Sequence, residues 1–321
     1  MPSWTRASAI ARAGASAADA SPGAVPPRGA LADSALPGSR PWYWDVWVQM
    51  LRRKPLGTVG AVIVVVMLAA AALADVLTPY GFAETNLRER FISMSGAHWM
   101  GTDQLGRDML TRVLYGARIS LYVGFGAVAL GSLLATLLGI ASAYFGGRLD
   151  LLLQRGVDAW MAFPGLLLLM TILSLLGPGV WNITLVLGVA FGIQNSRIVR
   201  GVALSIRENT YIEGARAAGA GHLRVAIGHI LPNALPTIIV VATTGLSTVI
   251  LTEASLSFLG LGVPPPYPTW GGMLSLAGLD HMYRAPWLAI WPAVALSLAV
   301  FGFNMLGDAL RDLLDPRLKG G

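Results

Sequence analysis

Apolar runs long enough to cross a bilayer recur along this chain, and they restrict it to a membrane fold. A helix needs about 20 predominantly apolar residues to traverse a hydrocarbon core of about 30 Å. Runs of this kind, or somewhat shorter, occur at 56–77, 119–145, 159–176, 180–193, 235–259 and 287–306. The chain is 55% hydrophobic and only 12% charged, against about 25% charged in an average soluble domain. It lacks the polar surface that two water-soluble globules would need. In lipid every backbone N–H and C=O must be satisfied internally, so the runs predict an all-α polytopic membrane protein with six transmembrane helices.

Within the runs, Gly124, Gly126, Gly131 and Gly139 predict close helix packing in the second. Pro164 predicts a kink in the third. A tight Gly177-Pro178-Gly179 turn leads to the fourth, which Gln194, Asn195 and Ser196 close. With six spans both termini share a side. Seventeen of the 23 Lys and Arg residues then fall on that side, which places both termini in the cytoplasm by the positive-inside rule. The net charge of +6 is read as this bias rather than as nucleic-acid affinity.

The chain divides into four parts. Residues 1–41 are a low-complexity Ala, Pro, Gly, Ser and Arg arm, read as a disordered cytoplasmic arm and not as a signal peptide. Residues 42–118 carry Trp42, Tyr43, Trp44 and Trp47, suited to the headgroup layer, then Arg52, Arg53 and Lys54, the first span and an external region. Residues 119–310 form the main transmembrane domain of five helices, and 311–321 a cytoplasmic tail.

Several chemistries are excluded. There is no cysteine, hence no disulfide and no thiolate ligand or nucleophile. Neither Lys54 nor Lys319 is followed by Ser or Thr, so the chain carries no phosphate-binding Walker loop and ATP hydrolysis is not expected on it. No paired carboxylates, Ser-His pair or metal-ligand spacing marks a catalytic centre. His98, Asp103 and Asp108 could be read as a metal site, but a helix cap with an ion-pair network explains them better. Glu253 near one end of the fifth span and Asn304 in the sixth are candidates for a substrate pathway, because polar groups inside a bilayer are functional candidates by default. The bland alternative is that span ends are wet and that acids there, such as Asp308, pair with interfacial Arg311.

One connector is too structured to be a plain loop. Arg207 to Pro236 reads RENTYIEGARAAGAGHLRVAIGHILPNALP. Asn209 or Thr210 can cap a short helix, with Glu213 at capping-box distance from Thr210. Gly219 and Gly221 break that helix. A second helix is predicted over 222–230, with Leu223, Ala226, Ile227 and Ile230 on one stripe, ended by Pro232 and Pro236. Helices this short need something to pack on. On physical grounds alone, docking on a protein and lying on lipid headgroups stand equal.

The same segment resembles the EAA loop of ABC importer permeases: Glu-Ala-Ala, three residues, Gly, nine residues, Ile-x-Leu-Pro. Glu213, Ala215, Gly219, Leu231 and Pro232 are in register; Gly214 replaces the first Ala, and His229 replaces the Ile, with Ile230 beside it. The chain is further similar to C-type permeases of the dipeptide, oligopeptide and nickel importers. The similarity runs through HWMGTDQLGRDMLTRVLYGARISL (98–121), AFPGLLL (162–168), HILPNALP (229–236), EASLSFLGLGVPPPYPTWG (253–271) and FNMLGDALRDLLDPRL (303–318). The resemblance implies a type I importer fold with an ATPase-coupling loop at 207–232. It implies a permease subunit in the cytoplasmic membrane that moves di- or oligopeptides, with glutathione or nickel as alternative cargo. It also implies partners: a homologous second permease, two cytoplasmic ATPases that hold ATP and Mg, an external substrate-binding protein, and membrane lipid. No cofactor is expected on this chain. The rivals from other classes are a passive channel, which would need no docking loop, and an intramembrane enzyme, which would need a reactive constellation.

Overall fold

The structure, a computed structural model, describes residues 55–275 and 281–314. All of them fall within one compact unit of the chain, residues 47–321. The arm 1–41, the aromatic and basic stretch 41–54 and the end of the tail, 315–321, lie outside the described residues.

The helices follow in this order: α1 Pro55–Ala72, α2 Ala74–Leu77, α3 Met109–Phe145, α4 Gly147–Met161, α5 Gly165–Leu176, α6 Val180–Arg207 and α7 Thr210–Ala217. Then come α8 His222–Val225, a π-turn Ala226–Ile230, α9 Leu231–Phe258, α10 Trp270–Leu274 and α11 Trp287–Leu314. Among the described residues no strand forms, and a single bridge joins Thr102 and Asp108. The expected all-α membrane architecture is thus observed.

Two continuous helices of 37 residues, α3 and His222–Phe258, dominate the bundle. At 1.5 Å per residue each is about 55 Å long, well beyond the hydrocarbon thickness. The second of these corrects the sequence reading. Pro232 and Pro236 do not end a helix, because the chain runs through them unbroken. The π-turn explains how: Leu231 N–H bonds to the Ala226 carbonyl, five residues back. That register widens the turn just ahead of Pro232, where the proline ring would otherwise crowd a carbonyl and a donor is missing.

The span count is also refined. Among the described residues four helices are long and apolar enough to cross a membrane: α1, α3, His222–Phe258 and α11. The third expected span is broken rather than kinked. Around residues 162–164 α4 and α5 meet at 90°, and they make a fifth span only if counted together. The residue before a proline is pushed out of helical geometry, and Pro164 itself stands at the cap of α5. The fourth expected span does not close at Gln194. It is the first half of α6, which continues for 28 residues to Arg207. Polar Gln194, Asn195 and Ser196 sit within that helix, so α6 combines an apolar half with a basic half carrying Arg197, Arg200 and Arg207.

Packing relies on small residues, as expected where lipid is as apolar as the side chains. α3 and α6 touch backbone to backbone: a methyl group on Gly131 would lie 2.6 Å from the Gly188 carbonyl oxygen. The central core joins Val123 and Ala127 of α3, Ile183 and Leu187 of α6, Ile250 of α9 and Phe303 of α11. α1 packs on α11 around buried Ala61 and Ala309. α3 and α11 begin at one end of the bundle, the cap end, where residues 78–108, 259–275 and 281–286 gather. Trp287 Nε1 donates to the Thr102 carbonyl at 3.1 Å, and Trp270 Nε1 to the Val113 carbonyl at 3.1 Å. The opposite, loop end holds the ends of α3 and α6 with α7 and α8, tied by Arg207 Nη1 donating to the Ala143 carbonyl at 2.6 Å.

Candidate functional site

At the loop end α7 and α8 form the expected pair of short helices. Ala215 and Ala217 are strong helix formers, and α7 stops where Gly219 adopts φ +84°. Gly219 N–H bonds to the Arg216 carbonyl and Ala220 N–H to the Ala215 carbonyl. This is the left-handed C-terminal cap that glycine makes without steric penalty. A Cβ at Gly219 would meet nothing, so the demand for glycine comes from the backbone conformation alone.

The expected capping box does not form. Asn209 stands at the N-cap of α7, but its amide donates backward to the Ile206 carbonyl at 3.1 Å. It satisfies an orphan carbonyl at the end of α6 rather than an orphan N–H at the start of α7.

The hairpin is anchored by apolar residues. Ile212, Val225 and Ile230 are buried against Ala143, Tyr144, Ala203, Ile206 and Ala234. The predicted single stripe is therefore split: Ile230 is buried, whereas Leu223 is 75% and Ile227 59% exposed. The buried partner in α8 is Val225, which the sequence reading did not place, because the five-residue π-turn shifts the facing of residues on either side of it. Polar ties are few. Tyr144 Oη and His222 Nδ1 are 2.9 Å apart, and the Arg216 guanidinium lies 5.1 Å from the Tyr144 ring centre. No sequence signal marks Tyr144, which is 78 residues from His222.

Of the motif residues, Glu213, Gly214, Gly219 and Pro232 are exposed, Ala215 and Leu231 are half-buried, and Ile230 is buried. The structure thus brings Glu213, Gly214, Ala215 and Gly219 together on one outward hairpin, with Ile230 and Leu231 at its root. Beside it, Asp150 of α4 binds Arg200 of α6 through two hydrogen bonds of 2.7 and 2.6 Å. That pair fixes the amphipathic α4 against the basic half of α6.

At the cap end, Asp108 caps α3 by accepting from Thr111 N–H and Thr111 Oγ1, both at 2.8 Å. His98 Nδ1 lies 2.9 Å from its other oxygen. Asp103 pairs with Arg107 at 2.6 Å. The cap and ion-pair reading of these residues is observed. Asp75, just beyond α1, is bound by Arg118 at 2.9 Å and by the Tyr115 hydroxyl. The Arg118 guanidinium, seconded by Tyr115, holds the Asp75 carboxyl below the usual carboxylate range.

The two candidate pathway residues lie apart. Glu253 is fully buried between α3 and α9, where its carboxyl meets Ser120 Oγ at 3.2 Å and Ser257 Oγ at 2.6 Å. Asn304 is exposed on α11 and accepts from Ser247 Oγ of α9 at 2.7 Å. Exposed Thr248 lies one residue beyond Ser247 on α9. The accessible polar face in this part of the bundle is therefore the α9–α11 seam at Asn304.

Two family descriptions match this chain. Residues 111–320 match the binding-protein-dependent transport system inner membrane component, and residues 41–93 match the N-terminal TM domain of oligopeptide transport permease C. Among similar proteins, the dipeptide transport system permease protein DppC of Alkalihalophilus pseudofirmus is 42% identical over 86% of this chain and 90% of its own length. The glutathione transport system permease protein GsiD of Escherichia coli is 41% identical over 87% of this chain and 92% of its own. That of Pectobacterium atrosepticum is 40% identical over 87% of this chain and 92% of its own. Near-complete coverage, the all-helical bundle and its apolar spans agree, and the chain belongs to the family of binding-protein-dependent transport system inner membrane components, the ABC importer permeases.

Proposed function

We propose that this permease is one of two homologous membrane subunits of an ATP-driven importer for di- or oligopeptides, and that the α7–α8 hairpin is its coupling element. The observation that carries the reading is the hairpin itself. Its inner side is anchored by Ile212, Val225 and Ile230, while Leu223 and Ile227 are left exposed at the loop end of the bundle. Exposed apolar side chains beside a buried anchor suit a protein or membrane contact, and the match to the EAA pattern favours the protein.

In this reading the loop end faces the cytoplasm, together with both termini, and one of two ATPase subunits covers Leu223 and Ile227. ATP and Mg reside on those subunits. Closure of the ATPase pair moves the hairpin, and the continuous helix His222–Phe258 carries that movement into the bundle. A ligand or nucleotide shifts the population of two states only by binding one better than the other. An external binding protein delivers solute to the cap end, and Asn304 belongs to the route between the subunits from the accessible α9–α11 seam, whereas buried Glu253 braces that part of the bundle without lining the route. The 41% identity to a permease named for glutathione supports that tripeptide as the second cargo reading.

The test is reconstitution with a second permease, two ATPases and an external binding protein. ATP-dependent uptake of alanyl-alanine into proteoliposomes is expected. Uptake that proceeds equally without ATP would make the chain a channel. Reporter fusions placed after Lys319 and at Tyr267 check the orientation, and an external C-terminus would reverse it.

A further inference from the structure

We propose that the cap end contains a carboxylate-binding site, built from Arg107 and Arg112, that receives the free carboxylate of the transported solute. This rests on reading the chain as a peptide permease.

The first observation is a surplus of buried positive charge. Asp103 Oδ2 accepts from Arg107 Nε at 2.6 Å and lies 3.6 Å from Arg112 Nε. Its other oxygen accepts the backbone N–H groups of Leu105 and Arg107, at 2.8 and 3.0 Å. The side chains of Arg107, Arg112 and Asp103 are only 11%, 10% and 4% exposed. Among the described residues, Asp103 is the one carboxylate within ion-pair reach of either arginine. The neighbouring acids are engaged elsewhere: Asp108 and Glu89 both face His98. One negative charge thus serves two cations. Arg112 also donates to the Phe82 carbonyl at 3.2 Å, but one shared carboxylate leaves the two buried guanidiniums only partly compensated, and a ligand anion would complete that compensation.

The second observation is the space beside them. Both arginines line a cavity of about 360 Å³ between the 103–112 segment and the Pro-rich segment 260–273. Tyr267, stacked on Phe82 at 5.6 Å, lines it together with Gly260 and Gly262. The volume falls within the roughly 300–1,000 Å³ of small-molecule sites. A guanidinium offers paired N–H donors that match a carboxylate. The near-complete burial of both cations favours a small solute that enters the cavity over an acidic side chain on a broad docking surface.

The experiment measures binding without transport. Purified complex, without the external protein, is titrated with alanyl-alanine carrying a ¹³C-labelled carboxyl group, and line broadening is followed by NMR. Wild type should bind the dipeptide and not its C-terminal amide. Arg107→Gln should weaken binding about tenfold or more, the loss of one charge-assisted bond, and Arg107→Lys, which keeps the charge without the paired donors, should fall between Arg107→Gln and wild type. Thermal melts of each variant report folding; if Arg107→Gln does not fold, the acid-against-amide comparison on wild type decides. Equal binding of acid and amide, no binding, or unchanged affinity in a folded Arg107→Gln overturns the site. So does a variant that loses only association with the external protein. Uptake by the same proteins reconstituted with the external protein separates the two readings: ATP-driven peptide uptake without carboxylate binding removes this site alone, whereas carboxylate binding without uptake removes the peptide-import reading and leaves the site.

Discussion

The two ends of the bundle are built from opposite materials. At the cap end, buried polar groups hold the chain: Asp108 caps α3 and meets His98, Asp103 bridges Arg107 and Arg112, and two tryptophan N–H groups close onto backbone carbonyls. At the loop end, three buried aliphatic residues anchor a hairpin whose other apolar side chains are left exposed. A network of directional bonds specifies one geometry and is expensive to break in part. An aliphatic anchor tolerates rotation and sliding because dispersion has little directionality. On the proposed reading, the difference suits one end to stay put and the other to be completed and moved by an ATPase.

The sharpest way to break this comparison is to remove the shared carboxylate. Asp103→Ala leaves Arg107 and Arg112 without their counter-charge. Loss of one partner from a buried ion pair costs about 3–5 kcal/mol, so the melting temperature in detergent should fall and expression should drop. A melt unchanged from wild type would mean that the cap end is not held electrostatically.

The next largest effect belongs to the opposite end. Gly219→Val forces a branched residue into φ +84°, a strain of about 1–3 kcal/mol. The strain is local to an exposed turn, so the bundle should still insert and express while ATP-driven uptake is lost. Wild-type uptake at normal expression would show that the hairpin does not couple.

Leu223→Ser sharpens the contrast further. With Leu223 75% exposed, the change should move stability by less than about 0.5 kcal/mol. Co-purification of the ATPase should nonetheless weaken several-fold. Intact assembly with the variant would leave the exposed apolar residues to lipid.

The smallest effect is a pH dependence at the junction of α1 and α2. Asp75 has a depressed pKa in the folded state, so its contribution is present above the ordinary carboxylate pKa and is lost as pH falls through the lower folded value. Wild type and Asp75→Asn should therefore converge in melting temperature only in acid below the usual carboxylate range. Convergence already near neutral pH would show that the Arg118 contact contributes nothing. The group is exposed, so the difference should be slight.

Much of this organisation was legible beforehand where the cause is local. The Gly177-Pro178-Gly179 turn and the Gly219 break follow from the residues that occupy them. The close approach anticipated for Gly131 is observed because a small residue there has a definite spatial consequence. The capping box at Thr210 was not a safe inference, because the side chain of Asn209 had a competing acceptor at the end of α6. The split of Leu223 and Ile227 from Ile230 was out of reach, since a π-turn changes the facing of residues without changing their hydrophobicity.

By itself the sequence determined the solvent. Apolar runs, scarce charge and internally satisfied backbone leave helices in a bilayer as the available solution. It also determined where glycine must turn the chain, because φ is a property of single residues. Only the tertiary structure decided that Pro232 sits inside a continuous helix, that Glu253 is sealed against Ser120 from 133 residues away, and that Arg107 and Arg112 share Asp103 beside a cavity. The physical reason is range. Helix bonds and turn preferences act over three to five residues, whereas burial, charge balance and cavity shape depend on which distant segment arrives alongside.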